Sequence, residues 1–492
     1  MSTETYIVEP IAEMLDEADP GRTLAPCGID QLIIGPDALS AVPATLGELL
    51  ASAAAPRDGA ARARVALLVD RTPILRGEQN VKDAVEAQLA DQFDVTRTVL
   101  DDGHPELHVV DPILDEAAEA AAGKAAVVAI GGGTISDIAK VAVQRAGEAG
   151  ERPVLLTVQT AASVDGFTDD VSVVLRNGVK RTVPSAWPDA VVSDTLTIAG
   201  APEAMNRAGF GEMTSMLVAP ADWRLASLVG TDPTFKPSAV TLLASVGKDL
   251  ESWSAGVREA RSDAVASLAR ALALRGIVTG VAGTTAVLSG VEHLISHMLD
   301  QYRGGHGLPI GLHGAQVGAG AVIAATAWEM LFERLERASD RPRIATKALD
   351  RGRSRERVLS AFERVDPSLQ VAEECWKDFS AKLDAVERNL PRITALLGDW
   401  AEARDELRGL VRPADAIASA LTEAGAPAAL SDLEPAVEPE LGRWAVENCA
   451  LMRNRFTVVD LLTLLGWWEP QDVDEVLERA ARAGAKAEAG GK

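Results

Sequence analysis

The chain has 492 residues, of which 47% are apolar and 24% charged, as expected for a globular protein with more than one domain. Its formal net charge of −24 disfavours nucleic acid or an anionic membrane surface as partner, because phosphate binding needs clustered Lys and Arg. Only three cysteines occur, far apart and without a CxxC pair, so we expect no disulfide framework and a reducing, cytoplasmic compartment.

The first two hundred residues alternate between short apolar runs and helical patterns, after an acidic N-terminus with no signal-peptide core. Five runs rich in Val, Ile and Leu predict buried strands: DQLIIG (30–35), RVALLVD (64–70), AAVVAIGGG (125–133), RPVLLTVQT (152–160) and PDAVVSD (188–194). Ala-rich segments separate several of them, which predicts a parallel sheet covered by helices on both faces. The run VSVVLRNGVKRTV (171–183) instead predicts a hairpin with its turn at Asn177-Gly178.

The segment AAVVAIGGGTISDIAKVAV predicts a strand, a glycine turn and a helix. Three successive glycines let a ligand approach the backbone: Gly131, Gly132 and Gly133. Three residues of helix-capping type follow and predict where the helix begins: Thr134, Ser136 and Asp137. A helix N-terminus at the carboxyl edge of a parallel sheet favours an anion. Because the spacing is not GxGxxG, a nucleotide site and a turn without a ligand both stay open.

Polar residues end two other predicted strands. Asp70 ends RVALLVD, where its carboxylate is placed either to hold a ribose hydroxyl of a nucleotide or to cap a helix. Thr160, Ser163 and Asp165 directly follow the buried run RPVLLTVQT. Hydroxyls and a carboxylate at the carboxyl end of a strand suit a cofactor or substrate crevice, and an ordinary Asx-turn is the structural alternative.

Strand patterns stop after about residue 200, and most of the remainder has helical periodicity, as in DAVASLARALALR and FTVVDLLTLLGWW. We therefore predict an α/β domain at 1–199 and an all-helical domain at 200–492. The uncharged run 304–328 contains two histidines and a proline, which favours a buried protein segment over a membrane span. The segment 335–440 is helical by composition only.

Four of the six histidines lie between Ser289 and Gly318. His293 and His297 are four residues apart in a helical pattern, so both rings share one face. His313 follows a Gly- and Pro-rich turn and begins a small-residue helix. Histidines from two adjoining helices suit a divalent metal, with Glu212, at a predicted helix start, as the accompanying carboxylate. A pH-responsive surface is the alternative.

Six segments resemble, in this order, those of the sn-glycerol-1-phosphate dehydrogenases: GGGTISDIAK, TAASVDGFTDDVS, GFGEMTSMLVAPADWRLA, EHLISHMLD, LHGAQVGAG and MRNRFTVVDLL. This family belongs to the superfamily of iron-containing alcohol dehydrogenases, glycerol dehydrogenases and dehydroquinate synthases. The similarity runs from about residue 29 to 467 and is weak between 335 and 440. It implies a two-domain, dehydroquinate synthase-like fold: a Rossmann-like α/β nucleotide domain followed by an all-α domain. It also implies NAD- or NADP-linked, reversible reduction of dihydroxyacetone phosphate to sn-glycerol 1-phosphate with one divalent ion (zinc, or else Ni, Fe or Mn).

The resemblance also implies roles for individual residues. Two loops and one further position would bind the cofactor, through Gly131, Gly132, Gly133, Thr134, Ile135, Ser136, Asp137, Thr160, Ala161, Ala162, Ser163 and Asp169. Glu212, His293 and His313 would hold the metal. Asp165 and His297 would act on the substrate, and His306 has no implied role. We expect a small-molecule substrate and a homodimer or higher homo-oligomer.

Two positions depart from the family. Glu212 stands where the family has Asp, although Glu is the ligand type of the dehydroquinate synthase branch. Asp169 stands where the family usually has Ser, and its carboxylate would either repel a phosphate or point to solvent. These departures leave two alternatives: an enzyme acting on another polyol or sugar phosphate, whether a dehydrogenase or an NAD-dependent cyclase, or a homologue that binds nucleotide and metal without turnover. For a substrate phosphate, Arg303 and Lys180 are the candidate cations.

Overall fold

The computed structural model describes residues 6–53, 62–176, 179–338 and 342–490. The chain divides into two compact units, Met1–Gly209 with Thr241–Gly283, and Phe210–Val240 with Thr284–Lys492. The sequence placed a single boundary at residue 199, whereas the units interleave along the chain. Segment 241–283 belongs to the first unit because Leu274 and Ile277 of its long helix share an apolar core with Leu32 of an early strand.

The first unit contains all the strands of the described part of the chain: β1 (Ile7–Val8), β2 (Gln31–Gly35), β3 (Arg64–Asp70), β4 (Leu75–Arg76), β5 (Gln79–Asn80), β6 (Asp94–Leu100), β7 (Ala126–Gly131), β8 (Val154–Gln159), β9 (Val171–Arg176), β10 (Val179–Pro184) and β11 (Ala190–Asp194). Seven form one sheet in the order β1-β2-β11-β8-β7-β3-β6. Its strands are parallel except β1, which pairs antiparallel with β2 at one edge. The prediction of a parallel sheet is thus confirmed for its six longer strands.

The helices that begin in this sheet-containing part are α1 (Ile11–Ala18), α2 (Val42–Ala53), α3 (Val81–Ala90), α4 (Asp111–Ala121), α5 (Gly133–Ala149) and α6 (Thr195–Ala199). Alternate residues of β3 enter two different cores. Val65, Leu67 and Val69 pack with α2 and α3, while Ala66 and Leu68 pack with α4 and α5. The sheet is therefore covered on both faces, and its strands are continuously apolar for that reason.

The sheet region differs from the expectation at β6 and agrees with it at the β9–β10 hairpin. β6 was not predicted, because DVTRTVL mixes polar and apolar residues and is not a continuous apolar run, as suits an outer strand with one partner. β9 and β10 form the predicted antiparallel hairpin, pairing Val171 with Pro184. The predicted turn at Asn177-Gly178 lies outside the described residues.

The later helices are α7 (Glu203–Met213), α8 (Ala219–Val229), α9 (Pro237–Val246), α10 (Leu250–Arg258), α11 (Ser262–Ala282), α12 (Val291–Gly305), α13 (His313–Arg337), α14 (Arg351–Glu363), α15 (Gln370–Gly398), α16 (Trp400–Gly409), α17 (Ala414–Ala424), α18 (Pro439–Asn448), α19 (Val458–Leu464) and α20 (Pro470–Gly490). α13 is buried along nearly its whole length from Gly314 to Phe332. Its glycines allow close packing: a Cβ on Gly320 would lie 2.8 Å from the carbonyl oxygen of Glu292 on α12.

Two helices, Ser262–Ala282 and His313–Arg337, are long and apolar enough to cross a membrane by length and composition alone. Their most apolar windows are 83% and 94% buried inside the protein. Burial in a protein core accounts for their composition, because core helices of large proteins are apolar all round.

Candidate metal centre and nucleotide turn

The glycine turn lies at the carboxyl edge of the sheet in the first unit. Gly131 ends β7 and pairs with Gln159 at the end of β8, and α5 begins two residues later at Gly133. The sequence predicted capping by Thr134, Ser136 or Asp137. The N-cap is instead Gly132, which provides no side-chain acceptor to the first helical amides. The Ser136 hydroxyl is buried and has no hydrogen-bond partner among the described residues. Free amides and this hydroxyl fit an anionic ligand.

Val69 pairs with Ile130 in the β3–β7 ladder. Asp70, which follows Val69 and ends β3, therefore lies next to the glycine turn. Its carboxylate forms an ion pair with Nζ of Lys82, which also donates to the carbonyl oxygens of Asp70 (2.7 Å) and Thr72 (2.6 Å). The Lys82 side chain is buried, whereas that of Asp70 is 20% exposed. The following helix α3 is capped by Asn80, so capping by Asp70 is not needed there. The carboxylate keeps an exposed side for a ligand hydroxyl.

The second loop, Thr160 to Ser163, is held beside the glycine turn. The backbone N–H of Thr160 donates to the carbonyl oxygen of Gly131 at 3.3 Å. The Asn206 amide accepts from the N–H of Ala162 at 3.1 Å and donates to Ile198 at 2.8 Å. Asn206 could not be recognised from the sequence as a support for this loop, because Ala162 lies 44 residues away along the chain. The two loops expected to bind the cofactor are therefore adjacent and fixed.

Asp169 is buried and bonded to a lysine. Nζ of Lys140 lies 2.5 Å from Oδ1 of Asp169 and 3.5 Å from Oδ1 of Asp137, and it also donates to the carbonyl oxygens of Gly166 and Val171. Burial raises the pKa of Asp169 to about 7, despite the opposing charge of Lys140. The alternative that Asp169 points to solvent is wrong, because the lysine, buried in α5, draws the carboxylate inward.

Asp165, which the resemblance implies would act on the substrate, lies in the first unit. Its Oδ2 lies 3.5 Å from Nη1 of Arg275, whose side chain is 1% exposed. α11 approaches the Asp165 loop closely, because a Cβ on Gly276 would lie 2.4 Å from the carbonyl oxygen of Asp165. Arg275, which the sequence analysis missed inside an apolar helix, thus orients the Asp165 carboxylate.

The second unit brings Glu212, His293 and His313 together from three helices. Glu212 lies one residue before the end of α7, not at a helix start as predicted, because α7 begins nine residues earlier. His293 lies in the first turn of α12, and His313 is the first residue of α13. Small residues allow the close approach: a Cβ on Gly211 would lie 2.3 Å from the carbonyl oxygen of Gly314.

The donor atoms of these three side chains converge. Nε2 of His293 lies 3.3 Å from Oε1 of Glu212, and Nε2 of His313 lies 3.7 Å from Oε2. One ligand atom from each residue lies within 4.8 Å of the other two. Glu212 is buried, whereas the His313 side chain is 27% exposed. Ligand atoms bound tetrahedrally at about 2.1 Å stand about 3.4 Å apart, so the donor set fits one divalent ion and leaves a fourth position for substrate.

The opposite ring nitrogens are held by other side chains. Nδ1 of His293 lies 2.9 Å from Oε1 of Glu292, and Nδ1 of His313 lies 3.0 Å from the Ser296 hydroxyl, which donates to Gln316. Burial alone would lower the pKa of His293, but the hydrogen bonds and charges of Glu212 and Glu292 raise it to about 9. The sequence analysis did not assign Glu292, although its position directly before His293 was a signal.

The other two histidines of the cluster, His297 and His306, differ in where they lie relative to the triad. His297, on the same helix, stacks against His313 with ring centroids 5.7 Å apart, so it lies beside the triad. His306 is exposed and its Nδ1 lies 2.7 Å from the carbonyl oxygen of Tyr302.

Arg303 is buried, and its guanidinium donates to the carbonyl oxygens of Pro309, Pro435 and Ala436, which argues against the expectation that it binds phosphate. The side chain of Lys180 lies outside the described part of the chain.

Comparison with known proteins supports the family resemblance found in the sequence motifs. The pattern of the family described as iron-containing alcohol dehydrogenase matches residues 34–202. A glycerol-1-phosphate dehydrogenase [NAD(P)+] of Haloquadratum walsbyi is 30% identical over 260 residues, which cover 53% of this chain and 71% of that protein. The protein of the same name from Thermococcus kodakarensis is 30% identical over 48% of this chain and 64% of its own length.

Solved structures share the fold. A probable glycerol dehydrogenase from Sinorhizobium meliloti has a TM-score of 0.54 at 16% identity, covering 92% of this chain and 96% of its own. A maleylacetate reductase from Agrobacterium tumefaciens has a TM-score of 0.55 at 16% identity, covering 94% and 98%. The predicted two-part fold, an α/β sheet region and a helical region, is confirmed.

Proposed function

The chain belongs to the glycerol-1-phosphate dehydrogenase family of iron-containing alcohol dehydrogenases, and we propose that it reversibly reduces dihydroxyacetone phosphate to sn-glycerol 1-phosphate. Its class is NAD(P)-dependent, metal-containing alcohol oxidoreductase. The convergence of Glu212, His293 and His313 carries the proposal, because it gives a buried carboxylate–bis-imidazole donor set with an open side. We also expect a cytoplasmic homo-oligomer.

The first unit would bind the dinucleotide. The uncapped amides at the start of α5 and the Ser136 hydroxyl would take the pyrophosphate, with the Thr160–Ser163 loop beside them. The exposed side of the Asp70 carboxylate would accept a hydrogen bond from a ribose hydroxyl, an arrangement that favours NAD over NADP because a 2′-phosphate would meet a negative charge.

The second unit would hold the metal through Glu212, His293 and His313. When bound, the ion polarises the substrate carbonyl as a Lewis acid, and the reduced nicotinamide supplies the hydride. His297 would hold or deliver the proton at the carbonyl oxygen, because its ring is fixed against His313. Asp165, oriented by Arg275, would accept a hydrogen bond from a substrate hydroxyl.

A second candidate, action on another polyol or sugar phosphate, has support from two residues next to the chemistry. Glu212 replaces the family's Asp, and Asp169, bonded to Lys140, replaces its Ser. Either change can reshape the volume offered to a substrate. An NAD-dependent cyclase would use the nucleotide transiently and return it, whereas a reductase consumes it.

The test is a substrate panel on the metal-loaded, full-length protein. Consumption of NADH and NADPH is followed with dihydroxyacetone phosphate, with its unphosphorylated ketose and with larger sugar phosphates, and the product's stereochemistry is assigned enzymatically. We expect net consumption with dihydroxyacetone phosphate, yielding sn-glycerol 1-phosphate. Turnover only with other ketoses would favour the second candidate, and product formation without net nucleotide consumption would identify a cyclase.

A further inference from the structure

We propose that Glu292 is a positioning residue of the metal centre: it fixes the orientation and tautomer of His293 and supplies the second buried negative charge that a divalent cation balances. This inference rests on the proposed function only in taking the triad as a metal site.

Glu292 is completely buried, and both hydrogen bonds to its Oε1 come from the start of α12. His293 Nδ1 lies 2.9 Å away, and the backbone N–H of Gly290 donates at 2.7 Å. A carboxylate is only an acceptor, so Nδ1 of His293 carries a proton that it donates to Glu292. Nε2 is the atom directed at Glu212. A divalent ion would displace the proton from Nε2, and the contact with Glu292 would keep the remaining proton on Nδ1 and so select the ligand tautomer.

The remaining oxygen of Glu292 has no hydrogen-bond partner among the described residues. This Oε2 lies above Gly290, where a Cβ would come within 3.0 Å of it. No hydrogen bond from the described part of the chain therefore offsets the cost of burying this oxygen. Glu292 and Glu212 thus place two buried carboxylates at opposite nitrogens of one imidazole, and a divalent cation at Nε2 compensates both charges.

Three further contacts fix Glu292 in this position. Oδ2 of Asp222 accepts from the backbone N–H of Val291 at 3.1 Å, and Arg455 donates to the carbonyl oxygen of Ser289. Both hold the turn that begins α12. On the other side, Gly320 of α13 packs directly on the Glu292 backbone. The Glu292 carboxylate is therefore held in place by the elements that pack around the start of α12, and it cannot turn away unless α12 moves.

Metal binding by two Glu292 variants tests this assignment on the intact chain without ketose or nucleotide. Glu292→Gln keeps an oxygen acceptor for His293 and removes the charge, whereas Glu292→Ala removes both. Zn²⁺ affinity is measured by chelator competition, and Co²⁺ absorption reports the ligand geometry. We expect Zn²⁺ to bind about tenfold more weakly to Glu292→Gln and up to about 100-fold more weakly to Glu292→Ala, with altered Co²⁺ spectra.

The matched control is Glu329→Gln on α13, a half-buried carboxylate that accepts from the N–H of Ala414 at 2.9 Å. It removes a comparable charge from the helix that carries His313, and we expect unchanged Zn²⁺ affinity. If either folded Glu292 variant binds Zn²⁺ with wild-type affinity and gives the wild-type Co²⁺ spectrum, the inference is overturned. A protein that binds metal in this Glu292-dependent way but reduces no ketose would refute the proposed function and support this inference.

Discussion

At the residue scale, the carboxylate of the candidate metal site comes from Glu212. It reaches both imidazoles from the end of α7, at 3.3 Å and 3.7 Å. The resemblance implied Asp at this position, and the longer side chain of Glu spans the distance that the backbone of this chain leaves.

We therefore predict that Glu212→Asp weakens metal binding, because the shorter side chain withdraws its oxygen from both histidines. Zn²⁺ affinity should fall by about tenfold or more, because changing even a residue that only supports a metal ligand typically costs at least this much affinity. The measurement is chelator competition, with NADH consumption assayed in parallel. Tighter binding or a gain in activity would contradict this account and favour the reading that Glu212 impaired an ancestral site.

Asp70 gives a second prediction, on cofactor choice. Asp70→Asn keeps an oxygen for Lys82 but removes the charge that would oppose a 2′-phosphate. The ratio of kcat/KM for NADPH to that for NADH should rise about tenfold, the size of one charge-assisted hydrogen bond. Asp101→Asn, after the neighbouring strand β6, is the matched control and should leave the ratio unchanged. An unchanged ratio in Asp70→Asn would remove Asp70 from the cofactor site.

Asp222 gives a prediction on pH. Burial, with the charges of Glu292 and Asp460, raises the pKa of Asp222 to about 8, while Arg455 is the nearby cation. The folded state then holds this proton more tightly than the unfolded chain, where an Asp titrates at about 3.9. Its contribution to stability is complete below the unfolded pKa and is lost as pH rises through about 8.

Asn is a neutral isostere of the protonated Asp222 side chain, so wild type should lose stability relative to Asp222→Asn as the pH rises. We expect the thermal midpoint of wild type minus that of Asp222→Asn to fall steadily from about pH 5 to about pH 8. Calorimetry across this range checks it. A midpoint difference that stays constant or rises with pH would show that Asp222 is ionised throughout.

The sequence located some of these residues and missed others for a physical reason. His293, His297 and His313 were visible because helical spacing and a glycine-marked helix start are local features. Asn206, Lys140 and Arg275 were not, since each contacts a residue 29 or more positions away along the chain. Side-chain partnerships across elements depend on packing, which local patterns do not specify.

At the scale of elements, the strands of the seven-stranded sheet that were predicted are those buried on both faces. β2, β3, β7, β8 and β11 are continuous apolar runs because helices cover both sides. The outer strand β6 was missed because its composition reflects one exposed edge. In the second unit, glycines of α13 decide how closely α12 and α7 approach it.

Gly320→Ala should therefore disturb both packing and the metal site. The new Cβ would lie 2.8 Å from the Glu292 carbonyl oxygen, so α12 must shift, at a cost of about 1–3 kcal/mol. We expect a lower thermal midpoint and weaker Zn²⁺ binding together. Gly47→Ala in α2 is the control: its Cβ meets open space, and it should stabilise by about 0.5–1 kcal/mol. Unchanged metal affinity in Gly320→Ala would show that α12 tolerates the shift.

At the scale of the whole molecule, each unit contains one of the two candidate sites. The first unit has the glycine turn, the Thr160–Ser163 loop and Asp70, and the second has the triad with its supporting side chains. The weakly similar segment contributes to the second unit's framework: Lys382 of α15 is buried and bonds to Ala450, Arg455 and Asp460. Sequence similarity alone assigned no role to this segment, because Lys382 is one of many charged residues in an amphipathic helix.

The most direct test of metal-dependent ketose reduction is NADH consumption by the metal-stripped protein, before and after Zn²⁺ is returned, with dihydroxyacetone phosphate present. Glu212→Ala is carried through the same procedure. We predict no turnover in the stripped protein, restoration near one equivalent of metal, and no restoration in Glu212→Ala. Equal turnover in the stripped and reloaded proteins, or full restoration in Glu212→Ala, would contradict the assignment of the metal site.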